Sequence, residues 1–262
     1  MRLHHVRRGS GKPLLLVHGL GSSGRSWSPV LPALAAAERE TVAVDLPGHG
    51  ETPPGPGEAT FAGLVEALER FLDAQNLDGV DAVGSSMGGR LVLELARRGR
   101  LGATVALGPG GFWEGWERTY LNATLGAAAR IVRLSRPLLP ALARNAWTRA
   151  ALFAQFSAHP GKLPAALALD EARSLAACPS FDPLLRDLAR GPAQAGAPPG
   201  TIRAPLAIGW GRRDRVTLPA QAARAARAFP DARLHWFPDC GHFPQWDRPE
   251  ETVRLVLKTV GR

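Results

Sequence analysis

The sequence predicts an α/β fold, a mostly parallel sheet with helices on both faces, interrupted by a helical insertion. Three observations carry this. Short β-branched or aliphatic runs alternate with longer segments of helical periodicity at both ends of the chain. Strand, helix, strand in sequence means parallel pairing with crossover helices. From 112 to 199 the strand rhythm stops, and a Leu-, Ala- and Arg-rich stretch is cut by Pro137, Pro140, Pro160, Pro164, Pro179 and Pro183 into short helices.

In chain order, residues 14–17 read as a buried strand followed by a Gly/Ser loop, and 27–37 as a helix. Residues 41–44 form the next strand, which leads into the turn-rich DLPGHGETPPGPG. Phe61, Leu64, Val65, Leu68, Phe71 and Leu72 mark a helix over 61–75. Strands at 80–83 and 104–107 flank a helix at 87–98. After the linker-like GPAQAGAPPG, strand 206–210, helix 219–229, strand 233–237 and helix 249–260 complete the pattern. The division expected is a core domain from 1–111 and 200–262, with a helical cap, or lid, over 112–199.

A chain of 262 residues is long enough for a full hydrophobic core. Apolar residues at 45% and charged residues at 21% are ordinary globular usage. The start, MRLHHVRRGSGK, has no apolar run of a secretory signal, and no stretch reaches the length of a membrane span, so a cytoplasmic protein with no membrane span is expected. The net charge of +9 comes almost wholly from dispersed Arg; Lys12, Lys162 and Lys258 are the only Lys. Pairs of Arg without a nucleic-acid motif read as a solvated face, so no nucleic-acid partner is expected. Cys178 and Cys240 read as reduced structural thiols. No His/Cys/Asp cluster has ligand spacing, so neither a metal nor another cofactor is expected. Oligomeric state is not encoded in any of these features.

The chemistry begins at Gly84-Ser85-Ser86-Met87-Gly88, a G-x-S-x-G pattern that follows a strand and opens a helix. There a tight turn lifts the central hydroxyl off the sheet edge, and Gly is needed where side chains would collide. Ser86 is therefore the candidate nucleophile, ahead of its neighbour Ser85. A Ser hydroxyl needs a base. His242, in the loop after the last strand, stands where an open α/β sheet puts its site, whereas His4 and His5 sit near the chain start, His159 in the insertion, and His235 inside a strand. The orienting acid should lie between them in chain order, and Asp214, after strand 206–210, is the candidate. Its rivals are a pairing with Arg212, Arg213 or Arg215, and Asp239 as the acid instead. His18-Gly19-Leu20-Gly21 follows the first strand, so the backbone N–H groups of Leu20 and Met87 are candidates for an oxyanion hole. HGLGSSG lacks the ending of a phosphate-binding loop.

Together HGLGSSGRSW, VDLPGHGET, GSSMGG, GRRDRVTLPA and CGHFPQWDRPEE resemble the serine-nucleophile branch of the α/β-hydrolase superfamily, over about 10–111 and 204–260. The resemblance implies that the insertion caps the active site and shapes its pocket, and that His18, Asp45 and His49 are mainly structural. The core is similar to small-molecule esterases and to C–C-bond hydrolases of meta-cleavage products, and GSSMGGR to the elbow of a menaquinone-pathway lyase. Relatives with an Asp nucleophile are excluded by Ser86, and an epoxide-opening Tyr pair by Tyr120 being the only Tyr. The leading expectation is a carboxylic ester hydrolase acting on a small molecule through an acyl-enzyme. The alternatives are a C–C hydrolase, with Arg90 or Arg residues of the cap holding the substrate acid, and a slow-turnover ligand sensor. Phe112, Trp113, Trp116, Trp147, Phe153 and Phe156 are the expected pocket lining.

Overall fold

A computed structural model describes residues 3–261. Seven strands form one sheet in the order β1-β3-β2-β4-β5-β6-β7. They are β1 (His5–Arg8), β2 (Lys12–Val17), β3 (Arg39–Val44), β4 (Val80–Ser85), β5 (Leu101–Leu107), β6 (Leu206–Gly211) and β7 (Ala232–Phe237). Every neighbouring pair is parallel except β1 on β3. The helices are α1 (Leu31–Ala36), α2 (Phe61–Gln75), α3 (Met87–Arg97), α4 (Glu117–Leu134), α5 (Leu139–Arg144), α6 (Ala146–Phe153), α7 (Ala165–Ala177), α8 (Phe181–Arg190), α9 (Ala220–Ala228), α10 (Pro244–Asp247) and α11 (Pro249–Val260).

The alternation of side chains along a strand divides the core into two layers. Leu15 and Val17 of β2 pack with Leu64, Leu68 and Leu72 of α2 and Leu91 and Leu95 of α3. Leu14 and Leu16 of the same strand pack with Trp27, Leu34, and Leu255 and Val256 of α11. A strand covered on both faces reads as an unbroken apolar run, which is why LLLV is legible as β2. α2 starts where the Thr60 hydroxyl accepts from the Gly63 N–H, and ends at Asn76 in the left-handed conformation.

Two sequence expectations are corrected. No strand is expected before residue 14, yet His5–Arg8 forms β1, which pairs antiparallel with β3, and His4 Nδ1 lies 2.8 Å from Asp45 Oδ2. The helix expected over 27–37 is instead a short 3-10 turn, Gly24–Trp27, followed by α1, because Pro29 and Pro32 lack the N–H that a helix interior needs.

Helices α4 to α8 occupy the connection between β5 and β6. They share a small core of Val132, Leu139, Phe153, Leu163, Leu167 and Ala172, which closes against Phe243 and Trp246 from the chain after β7. Asp247 fastens the two parts. Its carboxylate accepts from the Ser157 hydroxyl, from the Ala158 N–H at 2.8 Å and from the Gly241 N–H at 2.7 Å. The His242 N–H donates to the Phe156 carbonyl at 2.9 Å.

Candidate functional site

Ser86 sits between β4 and α3 with φ 57° and ψ −119°. L-residues avoid this conformation at a cost of about 1–3 kcal/mol, so the surrounding structure must impose it. The Ser86 N–H donates to the Leu107 carbonyl at 2.8 Å, and its carbonyl accepts from the Arg90 N–H at 3.0 Å. The turn closes only without side chains beside it. A Cβ on Gly88 would lie 2.2 Å from the Val17 carbonyl, and one on Gly84 2.2 Å from that of Gly88. Ser86 is half-buried, whereas Ser85 is fully buried and its Oγ accepts from Gln245 Nε2 at 3.1 Å.

Asp214 and His242 come from the loops after β6 and β7 and meet below the surface, with side chains no more than 1% exposed. His242 Nδ1 and Asp214 Oδ2 are 2.8 Å apart. The other carboxylate oxygen accepts from the Val216 and Thr217 N–H groups at 2.8 and 3.0 Å, and the Thr217 hydroxyl donates to Oδ2 at 2.8 Å. An acid bonded this fully cannot rotate, and an Nδ1–H held by it leaves Nε2 as the acceptor. His242 Nε2 is buried with no hydrogen-bond partner. Leu107 and Gly108 join the two halves: Leu107 holds the Ser86 amide, and a Cβ on Gly108 would lie 3.3 Å from His242 Nδ1 and 3.4 Å from Asp214 Oδ2.

The loop after β2 runs beside the same serine; a Cβ on Gly19 would be 3.1 Å from Ser86 Cβ and 3.6 Å from its Oγ. Leu20 follows it, and Met87 opens α3, where helix geometry leaves the first amides without intrahelical acceptors. His18 and His49 lie nearby, their ring centres 5.1 Å apart and tilted by 52°; burial lowers both pKa values, that of His49 to about 3, so both rings are neutral near pH 7. His18 Nε2 accepts from the Leu46 N–H, which ties the two loops together.

Asp239, the rival acid, is engaged by other side chains than His242. It is shared by His159, Arg213 and Arg248 at 2.7, 2.8 and 2.7 Å. Among the described residues no group of three or more His, Cys, Asp or Glu is placed to hold a metal ion. Both cysteines are free and buried, and burial pushes the Cys178 thiol up to about 12. No described helix is long and apolar enough to cross a membrane.

The cavity next to the loop after β2 is lined by Leu20, Gly21, Ser22, Leu125, Val132, Phe153, Phe156, Glu171, Phe243 and Trp246, among others. Of the six aromatic residues expected as lining, only Phe153 and Phe156 are there. Phe112 and Trp113 are buried in the main core, the first edge-on to Phe229. Trp116 and Trp147 point to solvent, 65% and 85% exposed. Arg90 is also elsewhere: buried, it stacks on Phe61 at 3.9 Å and donates to the Gln194 side chain and the Pro192 carbonyl. Neither this cavity nor a larger hollow bounded by His4, Arg25, Asp45, Glu51 and Arg173 is lined by Ser86, Asp214 or His242; the first approaches them through Leu20 and through Phe243, next to His242.

Sequence reasoning missed Thr217, Asp247 and Glu171. Thr217 carried a readable signal, a hydroxyl three residues after Asp214 in a turn. Glu171 is buried among apolar side chains, and burial pushes its carboxyl up to about 8 against the opposing hydroxyls of Ser22 and Ser26, with Asp170 adding to the rise. Folding therefore binds a proton here, and the stability this contributes is complete below about pH 4.5 and lost as pH rises through about 8. Glu171→Gln has no such titration. The melting temperature of the natural protein minus that of the variant should fall by several degrees between pH 5 and 9, because each tenfold preference for the protonated form is worth roughly 1.4 kcal/mol. A difference constant with pH would contradict this burial.

A solved structure shares this architecture, and curated proteins are similar in sequence. The structure of a thermophilic esterase from Thermogutta terrifontis superposes with a TM-score of 0.74 at 21% identity, covering 98% of this chain and 92% of that one. A 2-hydroxy-6-oxononadienedioate/2-hydroxy-6-oxononatrienedioate hydrolase of Dechloromonas aromatica is 29% identical over 272 residues, 98% of this chain and 90% of its own. The dihydrolipoyllysine-residue acetyltransferase component of the acetoin cleaving system of Pseudomonas putida is 28% identical over 254 residues; the match takes in 94% of this chain but only 63% of that protein. The model of the alpha/beta hydrolase family matches residues 14–255, from within β2 through β7 to most of α11, and the chain belongs to that family.

Proposed function

We propose that this hydrolase cleaves a small carboxylic ester through an acyl-enzyme on Ser86, with His242 as base and Asp214 as its orienting acid. The observation that carries the reading is the fixed Asp214–His242 pair, whose unpartnered Nε2 is left free as a proton acceptor at a site with a strained, half-exposed serine. The Ser86 hydroxyl attacks the ester carbonyl as His242 Nε2 takes its proton. The resulting oxyanion is met by the Leu20 and Met87 N–H groups. His242 returns the proton to the leaving alcohol, and water then releases the acid by the same steps in reverse. In unliganded enzymes the serine–histidine contact is commonly long, and it tightens with substrate.

The helices between β5 and β6 act in this reading as a cap, domain 112–199, over a core of 1–111 and 200–262. The carbonyl of Phe156 and the Ser157–Asp247 bond hold the His242 loop, so the cap both walls the pocket and steadies the base.

Substrate chemistry separates the ester reading from cleavage of a dienone acid. Such an acid needs a cation, and among the described residues no Lys, Arg or His lines the cavity; Arg90 is already bonded within the protein. Turnover of short aryl esters and of a dienone-acid panel, each beside Ser86→Ala, tests this. Esters should be cleaved at ordinary rates and dienone acids at least about 100-fold less efficiently, since a buried charge without a partner costs several kcal/mol. The reverse order, or ester cleavage that survives in Ser86→Ala, would overturn the proposal.

A further inference from the structure

Glu171 lies in the middle of α7, 7% exposed, and among the described residues it is the one charged-type side chain in the wall of the cavity beside the loop after β2. One carboxyl oxygen, Oε2, lies 2.8 Å from the Ser22 hydroxyl. The other, Oε1, is buried and makes no hydrogen bond of ordinary geometry, although the Ser26 hydroxyl lies near the carboxyl. A buried polar atom left unpaired costs stability, and native proteins tolerate few of them, so each calls for a reason. Nothing in the triad uses this one. Its surroundings are apolar: Val132, Phe153, Phe156, Ala172, Leu175 and Trp246. A ligand pocket of this type is mainly greasy, with a few polar groups that fix orientation.

The position is also right for recognition. Ser22, which holds Glu171, is two residues from Leu20, and both line the cavity, as does Phe243 next to His242. Ser86 and His242 lie outside the lining, so a chain attached to a carbonyl at Ser86 would enter between Leu20 and Phe243 to reach Glu171.

We propose that Glu171 is the specificity residue of this pocket, and that the substrate chain it receives ends in an uncharged hydrogen-bonding group, a hydroxyl. This rests on the ester-hydrolase reading and narrows its substrate to hydroxylated small esters. Burial keeps the Glu171 carboxyl protonated near pH 7. A protonated carboxyl both donates and accepts, as does a hydroxyl, so the pair is satisfied whichever oxygen carries the proton. A carboxylate would bring a charge into a cavity without a cation, and an ammonium group would require Glu171 to ionise where burial opposes it.

The test is a set of esters of equal length whose chain ends in methyl, hydroxyl, ammonium or carboxylate, with that chain on the acyl side in one series and on the alcohol side in the other. In one of the two series the natural protein should favour hydroxyl over methyl about tenfold in kcat/KM, through KM, and disfavour carboxylate by about 100-fold or more. Glu171→Met should reverse the hydroxyl-over-methyl order while cleaving the methyl-ended ester at least as well, which shows an intact fold and triad. Glu171→Gln, which keeps a donor and an acceptor, should retain the order. Preference for methyl or ammonium in both series, or an equal loss on all esters in Glu171→Met, overturns the proposal. Dissociation constants of the matching ketones, which cannot be hydrolysed, separate it from the ester reading. If no ester is cleaved, tighter binding of the hydroxy-ketone that disappears in Glu171→Met still supports the pocket assignment, and equal binding overturns it.

Discussion

Ser86→Ala is expected to lower kcat for aryl-ester cleavage by a factor on the order of 10⁴–10⁶, with melting temperature little changed. The substitution removes one half-exposed oxygen and leaves the bonds that shape the turn: the 86 N–H to Leu107 and the 86 carbonyl from Arg90. What it deletes is the atom that forms the covalent intermediate, and no neighbouring group can take over. Ser85 is adjacent in sequence, but as a β4 residue it is buried and engaged with Gln245. Ser85→Ala should keep activity within about tenfold, the loss reflecting a loosened Gln245 rather than chemistry. The kinetics of the two variants on one substrate, with melting curves, check this. The opposite ranking would move the nucleophile to Ser85.

Asp214→Asn should be the next most damaging change, costing about 10²–10⁴ in kcat with KM little altered. Asp214 accepts from two backbone N–H groups, a hydroxyl and the imidazole at once. An amide can retain the bonds to Val216 and Thr217 through its oxygen, but its NH₂ then faces His242 Nδ1. That arrangement favours the proton on Nε2, the wrong nitrogen for a base, and provides no charge to stabilise the imidazolium. The matched control is Asp239→Asn. Its carboxylate is held below the ordinary range, first by the hydrogen bond from His159, at the surface and away from the imidazole. Removing its charge should leave kcat within a fewfold. Damage at Asp239 with Asp214 benign would mean that the acid has been misplaced.

The framework was legible because parallel strands in an α/β sheet are short, apolar and separated by helices of clear period. α2 and α11 fall on the expected residues, and β2, β3, β4 and β6 extend their expected spans by one or two residues. Chain order then ranked the polar residues at strand ends, which singles out Ser86, Asp214 and His242. β1 was not legible: HVRR is mostly exposed and its partner, the β3 edge, is far along the chain. The pocket was the least legible part. Short Pro-bounded helices give no long period from which to judge facing, so aromatic content alone could not separate wall from surface. Trp147 and Phe153 show the problem on one helix: six residues apart, they are rotated by roughly 240°, and one points to solvent while the other is buried. Glu171 was invisible for a different reason. Its stripe, Ala168, Glu171, Ala172 and Leu175, repeats at helical spacing, but a Glu on such a stripe is ordinarily taken as a boundary residue, and only the packing of α7 on the loop around Ser22 buries it.

The covalent step is the centre of the account, and trapping it is the most direct test. The protein is treated with an aryl-reporting phosphonate that mimics the tetrahedral intermediate, and the adduct is located by mass spectrometry of its peptides. One adduct per chain should form on the Ser86 peptide as activity disappears. It should be absent in Ser86→Ala and form orders of magnitude more slowly in His242→Ala, where no base activates the hydroxyl. Full inactivation with the adduct on any other residue, or an unmodified Ser86 in a protein that still cleaves esters, would contradict the account.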